Sequence, residues 1–304
     1  MSSTFGHTFR LSTFGESHGA AVGGIIDGCP AGIVIDNAFI AAELRRRRVG
    51  DSGSDEVTER QEPDAVEWLS GLYEGRTLGT PIAFLIRNKD CRPGDYAMLR
   101  NCCRPGHADY TYQAKYGVRD HRGGGRASGR ETAARVVAGA VAKQILVPQG
   151  IRIHAAAQGR EVHCSIQGLK AGIGEPVFDR LNARLAYAML SIPSAMAFAM
   201  GDTPEAYRLP RELFPDQWNA GGDGDTLTLT NHCGGVQGGI SNGMEVLFHV
   251  GFHAPVTQPE GMLCRAADGS LQQVAPHGRH DTDHITRLPV IVEAMAALVI
   301  MNNV

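Results

Sequence analysis

Ile26-Asp27-Gly28-Cys29-Pro30-Ala31-Gly32-Ile33 is echoed at Ile166-Gln167-Gly168-Leu169-Lys170-Ala171-Gly172-Ile173, with the isoleucines, glycines and alanine in register. Each copy carries a glycine turn and is followed by a helical pattern. Before the first copy, Ala20 to Ile26 is small and apolar, as a buried strand requires. A strand, turn and helix unit used twice favours an interleaved, pseudo-symmetric α+β body over two domains in tandem. The chain is therefore expected to be a single domain over residues 1–304.

Working outward from the echo, Asp36 caps a predicted helix from about Asn37 to Arg48. Ala134, Val137, Ala138, Val141, Ala142 and Ile145 form one stripe at i, i+3, i+4 spacing, which predicts a helix over Glu131 to Leu146. Further helices are expected at Val177 to Leu190 and Ile291 to Ile300, with a buried strand at Pro81 to Ile86 and a β-branched segment at Ile33 to Ile35. Tyr110 to Asp120 fits either period. Val49 to Pro63 is polar with no apolar period and is expected to be a surface loop.

Composition narrows the function. A chain of 304 residues with 43% hydrophobic and 20% charged residues can bury a core without staples. A net charge of −3 and 6% aromatics exclude a broadly basic or base-stacking nucleic-acid binder. Seven cysteines without C-x-x-C spacing point to no disulfide framework and no zinc knuckle, and so to a reducing cytoplasm. The N-terminal segment lacks a signal-peptide pattern, and no apolar run reaches membrane-span length. Glycine is the outlier, with 38 residues against a usual ~7%.

Arg122-Gly123-Gly124-Gly125-Arg126-Ala127-Ser128-Gly129-Arg130-Glu131 runs directly into the striped helix, and Ser128 and Glu131 have capping-box spacing. Glycines before a helix leave backbone N–H groups free for an anion, and Arg122, Arg126 and Arg130 at spacing four add charge. The segment reads as a phosphate cradle, neither a Walker loop nor a dinucleotide fingerprint. The row Arg45-Arg46-Arg47-Arg48 either complements its helix C-terminus or faces a second phosphate. Twelve histidines include His18, His107 and His280 in loop-like contexts, where imidazole can move protons around an anion. His280 and His284 have i, i+4 spacing, but Arg279 between them and the nearby Gly278 and Pro289 argue against a metal site, and none is expected. Asn231 to Gly243 is so glycine-dense that its backbone must pass close to a ligand or to another chain segment.

Taken in order, Phe14-Gly15-Glu16-Ser17-His18-Gly19, Arg104-Pro105-Gly106-His107-Ala108-Asp109-Tyr110-Thr111-Tyr112, Lys115-Tyr116-Gly117-Val118-Arg119-Asp120 with its arginine-glycine tail, Gly234 to Gly243, and Gly278-Arg279-His280-Asp281 resemble the signature blocks of the chorismate synthase family. The resemblance spans about Phe5 to Met301. It implies a β-α-β sandwich with antiparallel sheets flanking central helices, assembled as a homotetramer. It also implies a shikimate-pathway lyase that uses reduced FMN, with NADPH a candidate reductant, to convert 5-enolpyruvylshikimate 3-phosphate to chorismate and phosphate by anti 1,4-elimination. On that resemblance His18 protonates the departing phosphate and His107 protonates or orients the flavin. Asp281, with Ser17 and Ser128, relays a proton toward flavin N5. Arg48, Arg126, Ala127, Ser128, Gly238 and Arg279 match flavin or substrate positions, and Arg47, Arg122 and Arg130 are assigned to the phosphorylated substrate.

The chain departs from the family pattern at several points. Gly129 occupies the first helical turn, the arginine loop lacks its proline and an arginine, and Met196 replaces an expected lysine. The segment around His253-Ala254-Pro255-Val256-Thr257 has lost its lysine, and between Ile153 and Val162 the family carries several dozen more residues. Besides the enzyme, a non-catalytic relative that binds flavin or a phosphorylated ligand is therefore an alternative at this point.

Overall fold

The computed structural model describes residues 3–49, 62–258, 260–275 and 284–304. After a short β1 (Thr4–Phe5), the first half runs through β2 (Arg10–Phe14), β3 (Ala21–Asp27), α1 (Asn37–Val49) and β4 (Val66–Trp68). A small hairpin of β5 (Leu72–Tyr73) and β6 (Arg76–Thr77) then leads to β7 (Ile82–Arg87). An excursion carrying β8 (Cys102–Cys103) and α2 (Asp109–Tyr116) precedes the long helix α3 (Thr132–Leu146).

The second half repeats this order with β9 (Arg152–Gln158), β10 (Glu161–Gln167), α4 (Leu181–Leu190), β11 (Ala195–Met200), the hairpin β12 (Val236–Gln237) and β13 (Ile240–Ser241), and β14 (Val246–Phe252). Its excursion holds β15 (Met262–Ala266) and β16 (Leu271–Val274) and ends in α5 (Pro289–Ile300). The two main sheets have orders β1-β2-β3-β7-β4 and β11-β14-β10-β9, antiparallel throughout. The excursions meet in a third sheet, β16-β15-β8.

The echoed octapeptides occupy equivalent places, directly after β3 and β10, and are bonded alike. Thr77 Oγ1 donates to Pro30 O at 2.6 Å and accepts from Ile33 N at 2.9 Å; Ser241 Oγ donates to Lys170 O at 2.6 Å and accepts from Ile173 N at 2.9 Å. Gly28 and Gly168 both take positive φ, +82° and +75°. A Cβ at either would fall 1.8 Å from Thr8 O or 2.2 Å from Gly150 O, so only glycine fits the turn. The sequence echo therefore marks a repeated unit.

Between the main sheets lie the helices. α3 packs on β2, β3 and β7, α5 packs on β9 and β10, and α3 and α5 pack on each other, with α1 and α4 completing the layer. One hydrophobic cluster runs through both sheets and this layer, from Phe9 to Met301. This is the expected α+β sandwich with pseudo-symmetric halves. Among the described residues no helix is long and apolar enough to cross a membrane.

Asp36 Oδ1 caps α1 through Ala38 N and Phe39 N, as predicted. Tyr110 to Asp120 resolves mainly as helix α2. Two expectations need correction. α4 begins at Leu181 rather than Val177, because Val177 to Asp179 turn outward, leaving Phe178 92% exposed, and Arg180 is extended. Ile33 to Ile35 supplies only a single bridge, Val34 to Arg76. The expected loop after Val49 lies, over 50–61, outside the described residues.

The helix layer contains a compensated charge cluster. Lys143 Nζ donates to Glu43 and Glu293, and Arg46 Nη1 donates to Glu43 Oε1 at 2.9 Å and Glu293 Oε2 at 2.8 Å. Ala155 N of β9 also donates to Glu293. Burial alone would raise the Glu293 carboxyl, but Arg46 and Lys143 hold it below the ordinary glutamate value. A depressed carboxyl contributes stability fully above its unfolded pKa and loses it as pH falls through the folded value. Stability should therefore decline with acid below the ordinary glutamate range, and Glu293→Gln should flatten that decline in urea titrations run from pH 7 downward. Gly139 sits where α3 meets α5, and a Cβ there would lie 2.3 Å from Ala294 Cβ. Gly139→Ala is expected to cost about 1–3 kcal/mol of unfolding free energy through overpacking, read by chemical denaturation.

Candidate active site

A cavity of about 560 Å³ opens where the two excursions meet the C-terminal end of α1 and the turns before α3. His18, Arg47, Arg48, His107, Ala127, Ser128 and Arg130 all line it. Five of these seven come from the first excursion or the turn after β2, so their convergence depends on the main sheet that anchors both.

His18 follows β2 through a glycine-containing turn. Its Nδ1 lies 3.1 Å from Oγ of the buried Ser17, and its ring stands edge-on to Tyr96 with centroids 4.8 Å apart. Gly123 backs the imidazole at φ +88°, and a Cβ there would lie 2.5 Å from Nδ1. The glycine run is thus a close backbone approach to a histidine. His107 is held at both nitrogens, by Pro105 O at 2.8 Å from Nδ1 and by Thr257 Oγ1 at 3.1 Å from Nε2. A carbonyl only accepts, so Nδ1 carries hydrogen and Nε2 is the nitrogen whose protonation can change.

Below His107, the Asp109 carboxylate at the start of α2 takes a bidentate fork from Arg104 at 2.9 and 3.0 Å and also the Arg104 backbone N–H. Burial would raise this carboxyl, but Arg104 and Arg119 keep it below the ordinary aspartate value. The histidine loop is therefore clamped to its helix by a charged pair.

On the facing wall Arg47 and Arg130 share one carboxylate. Asp64 Oδ2 accepts from Arg47 Nη2 at 3.0 Å, and its Oδ1 accepts from Arg130 Nη1. All three residues are buried. Burial would raise the Asp64 carboxyl, and the two guanidiniums hold it down. Arg130 is further fixed by Asn88 Oδ1 at 2.9 Å, whereas the buried Arg47 Nε has no acceptor among the described residues.

The predicted cradle is only partly assembled. The three arginines at spacing four diverge, because residues 125–127 and 129–131 form 3-10 turns, in which i and i+4 do not share a face. Arg130 enters the cavity. Arg122 pairs with Asp120 at 2.7 Å, and Arg126 turns to the carbonyls of Thr13 and Gly15; neither lines the cavity. The capping box is also corrected: Ser128 Oγ accepts from Arg130 N, while Glu131 bonds Thr13 Oγ1 and Arg135 Nε. Gly238 lies in the β12–β13 turn, away from the cavity, and Gly234 and Gly235 press on their own chain at Leu247 O and Glu245 O. Arg279 and Asp281 lie outside the described residues, as does His280.

Sequence reasoning missed several lining groups. Arg287 lines the wall and donates to Arg47 O at 2.9 Å. Ser194 lines it with φ +68° and an Oγ 2.8 Å from His284 Nε2, so His284 is engaged by a serine. Asp64 is invisible locally, since its partners are 17 and 66 residues away. Asp64→Ala would strand two buried cations, and a loss of about 3–5 kcal/mol in unfolding free energy is expected from denaturant titration.

The sequence profile of the chorismate synthase family matches residues 9–159 and 156–304. Among curated relatives, the chorismate synthase of Christiangramia forsetii is 41% identical over 344 positions, covering 98% of this chain and 96% of its own. That of Opitutus terrae is 43% identical over 355 positions, covering 100% and 96%. A crystal structure of a chorismate synthase, 24% identical, superposes with a TM-score of 0.71 over 98% of this chain and 92% of that one, which establishes the shared fold. The profile match divides at the β9–β10 turn, and the 355 aligned positions exceed the 304 residues here, so the shortening falls on that hairpin. No residue between 133 and 191 lines the cavity, so the β9–β10 hairpin present here is not part of its walls. From end to end, the chain belongs to the chorismate synthase family.

Proposed function

We propose that this protein is a shikimate-pathway lyase that converts 5-enolpyruvylshikimate 3-phosphate to chorismate and phosphate by anti 1,4-elimination. The observation that carries the reading is that His18 and His107 line the same cavity as two arginines fixed by one carboxylate. Elimination of phosphate needs cations where negative charge collects and a proton donor for the leaving group. Arg47, Arg48, Arg130 and Arg287 supply the first. His18, oriented by Ser17, supplies the second.

The lining also fits reduced FMN. Arginines meet an apolar wall of Ala127, Ile192, Val256, Leu288 and Ile291, suited to a flat ring with an anionic tail, and among the described residues the buried Arg47 Nε lacks an acceptor. Arg48, Ala127 and Ser128 would hold it, with His107 Nε2 presenting or taking up a proton beside it. A reduced flavin held there would supply electron density for the allylic elimination, a reaction with no net redox change. Arg126 acts indirectly on this reading, by fixing the Thr13 to Gly15 segment that leads to His18. Ser128 caps the turn that carries Arg130.

The reading extends to a homotetramer in the cytoplasm, the chain folding as one domain. Exposed Phe178, Met196, Tyr207 and Trp218 support subunit contacts, the seven unpaired cysteines suit a reducing compartment, and the continuous core supports a single folding unit.

Purified protein given reduced FMN and 5-enolpyruvylshikimate 3-phosphate without oxygen is expected to release phosphate and form chorismate. His107→Ala and His18→Ala should each slow phosphate release by about 10²–10⁴-fold. Flavin binding by fluorescence titration with no turnover would replace the enzyme by a binding relative.

A further inference from the structure

On the outer face of the second sheet, away from the hydrophobic core, Glu161 and His163 of β10 stand beside His249 of β14. The pleat puts Val162, Cys164 and Ile166 inward on β10, and Val246, Phe248 and Val250 inward on β14. Glu161, His163 and His249 therefore share the other face, with His163 and His249 directly opposed in the antiparallel register. Their rings meet edge to face with centroids 4.4 Å apart. One ligand atom from each of the three residues lies within 4.8 Å of the other two, and Glu161 Oε2 is 3.4 Å from His163 Nε2.

His249 is the informative member. It is only 7% exposed, yet among the described residues its buried Nδ1 has no hydrogen-bond partner. Its Nε2 lies 2.9 Å from Gly201 O, and a carbonyl there must accept, so the hydrogen sits on Nε2 and Nδ1 keeps its lone pair. A histidine whose other ring nitrogen donates to a backbone carbonyl is in the arrangement that metal ligands adopt, since the outer bond fixes tautomer and ring orientation.

We propose that Glu161, His163 and His249 form a binding site for a divalent first-row transition ion of the zinc class, separate from the cavity. Two imidazoles and one carboxylate suit zinc, with a fourth position open to water. Around an ion with bonds of about 2.0–2.2 Å, tetrahedral ligand atoms lie roughly 3.3–3.5 Å apart, and the Glu161–His163 pair already meets that spacing. Closing the third side needs only side-chain movement by the two partly exposed residues. The ion would clip the two central strands of the sheet together, next to the short β9–β10 turn.

The test uses untagged full-length protein freed of metal by chelation. Cobalt(II) is expected to bind at one equivalent with the visible absorption of a low-symmetry tetrahedral centre, to be displaced by zinc, and zinc should raise the melting temperature. His163→Ala and Glu161→Gln, at partly exposed positions, should each weaken cobalt binding by about 10–100-fold and abolish the zinc-dependent thermal shift. No stoichiometric cobalt binding by the parent protein, or equal binding by the His163→Ala variant, would overturn the assignment. In the latter case the ion would be held elsewhere, and intense sulfur charge-transfer bands in the spectrum would mark cysteine ligands.

Discussion

Two guanidinium groups cannot be buried side by side unless an anion lies between them, and the Asp64 carboxylate meets that condition for Arg47 and Arg130. Burial, the largest influence, and the nearby Arg47 pull the Arg130 guanidinium toward losing its proton, and Asp64 opposes them. Because Arg47 lies in the last turn of α1 and Arg130 precedes α3, this carboxylate also ties two helices to the segment that leads into β4. The two buried cations on the cavity wall thus depend on a single carboxylate, which adds a polar tie to helices already held by the hydrophobic cluster. An arrangement with the arginines unpaired would repel itself apart before a ligand could bind.

The cavity's position follows from the duplicated plan. Each half departs from its sheet at the same point, between the last strand and the long central helix, and the two departures meet at β8 and β15. His107 comes from one and its partner Thr257 from the other. A site built across two equivalent departures needs no dedicated domain, because the pseudo-symmetric helices already bring the two openings together.

What could be read in the sequence was local. The echoed octapeptides were legible because Gly28 and Gly168 occupy backbone geometry closed to other residues, and the α3 stripe because a helix face repeats every few positions. The capping of α1 by Asp36 was legible because its carboxylate accepts from N–H groups only two and three residues on. The arginine spacing misled because it presumed an α-helical period where the chain makes 3-10 turns. Glu131 misled because a residue 118 positions away, Thr13, competes for its carboxylate. Asp64, the Thr257 contact and the opposition of His163 to His249 depend on strand register and loop closure, which no window of sequence contains.

The β9–β10 connection, reduced here to Gly159 and Arg160, has a consequence for how the chain can change length. The strands on either side are locked by seven paired positions, and the turn projects from their ends. Residues added or removed at such a tip alter neither the pairing nor the helix layer, and the entropy of closing a longer loop grows only slowly with its length. Evolution can therefore prune or elaborate this corner while selection on the chemistry acts elsewhere, and a reporter peptide could be grafted at the same point without disturbing the scaffold.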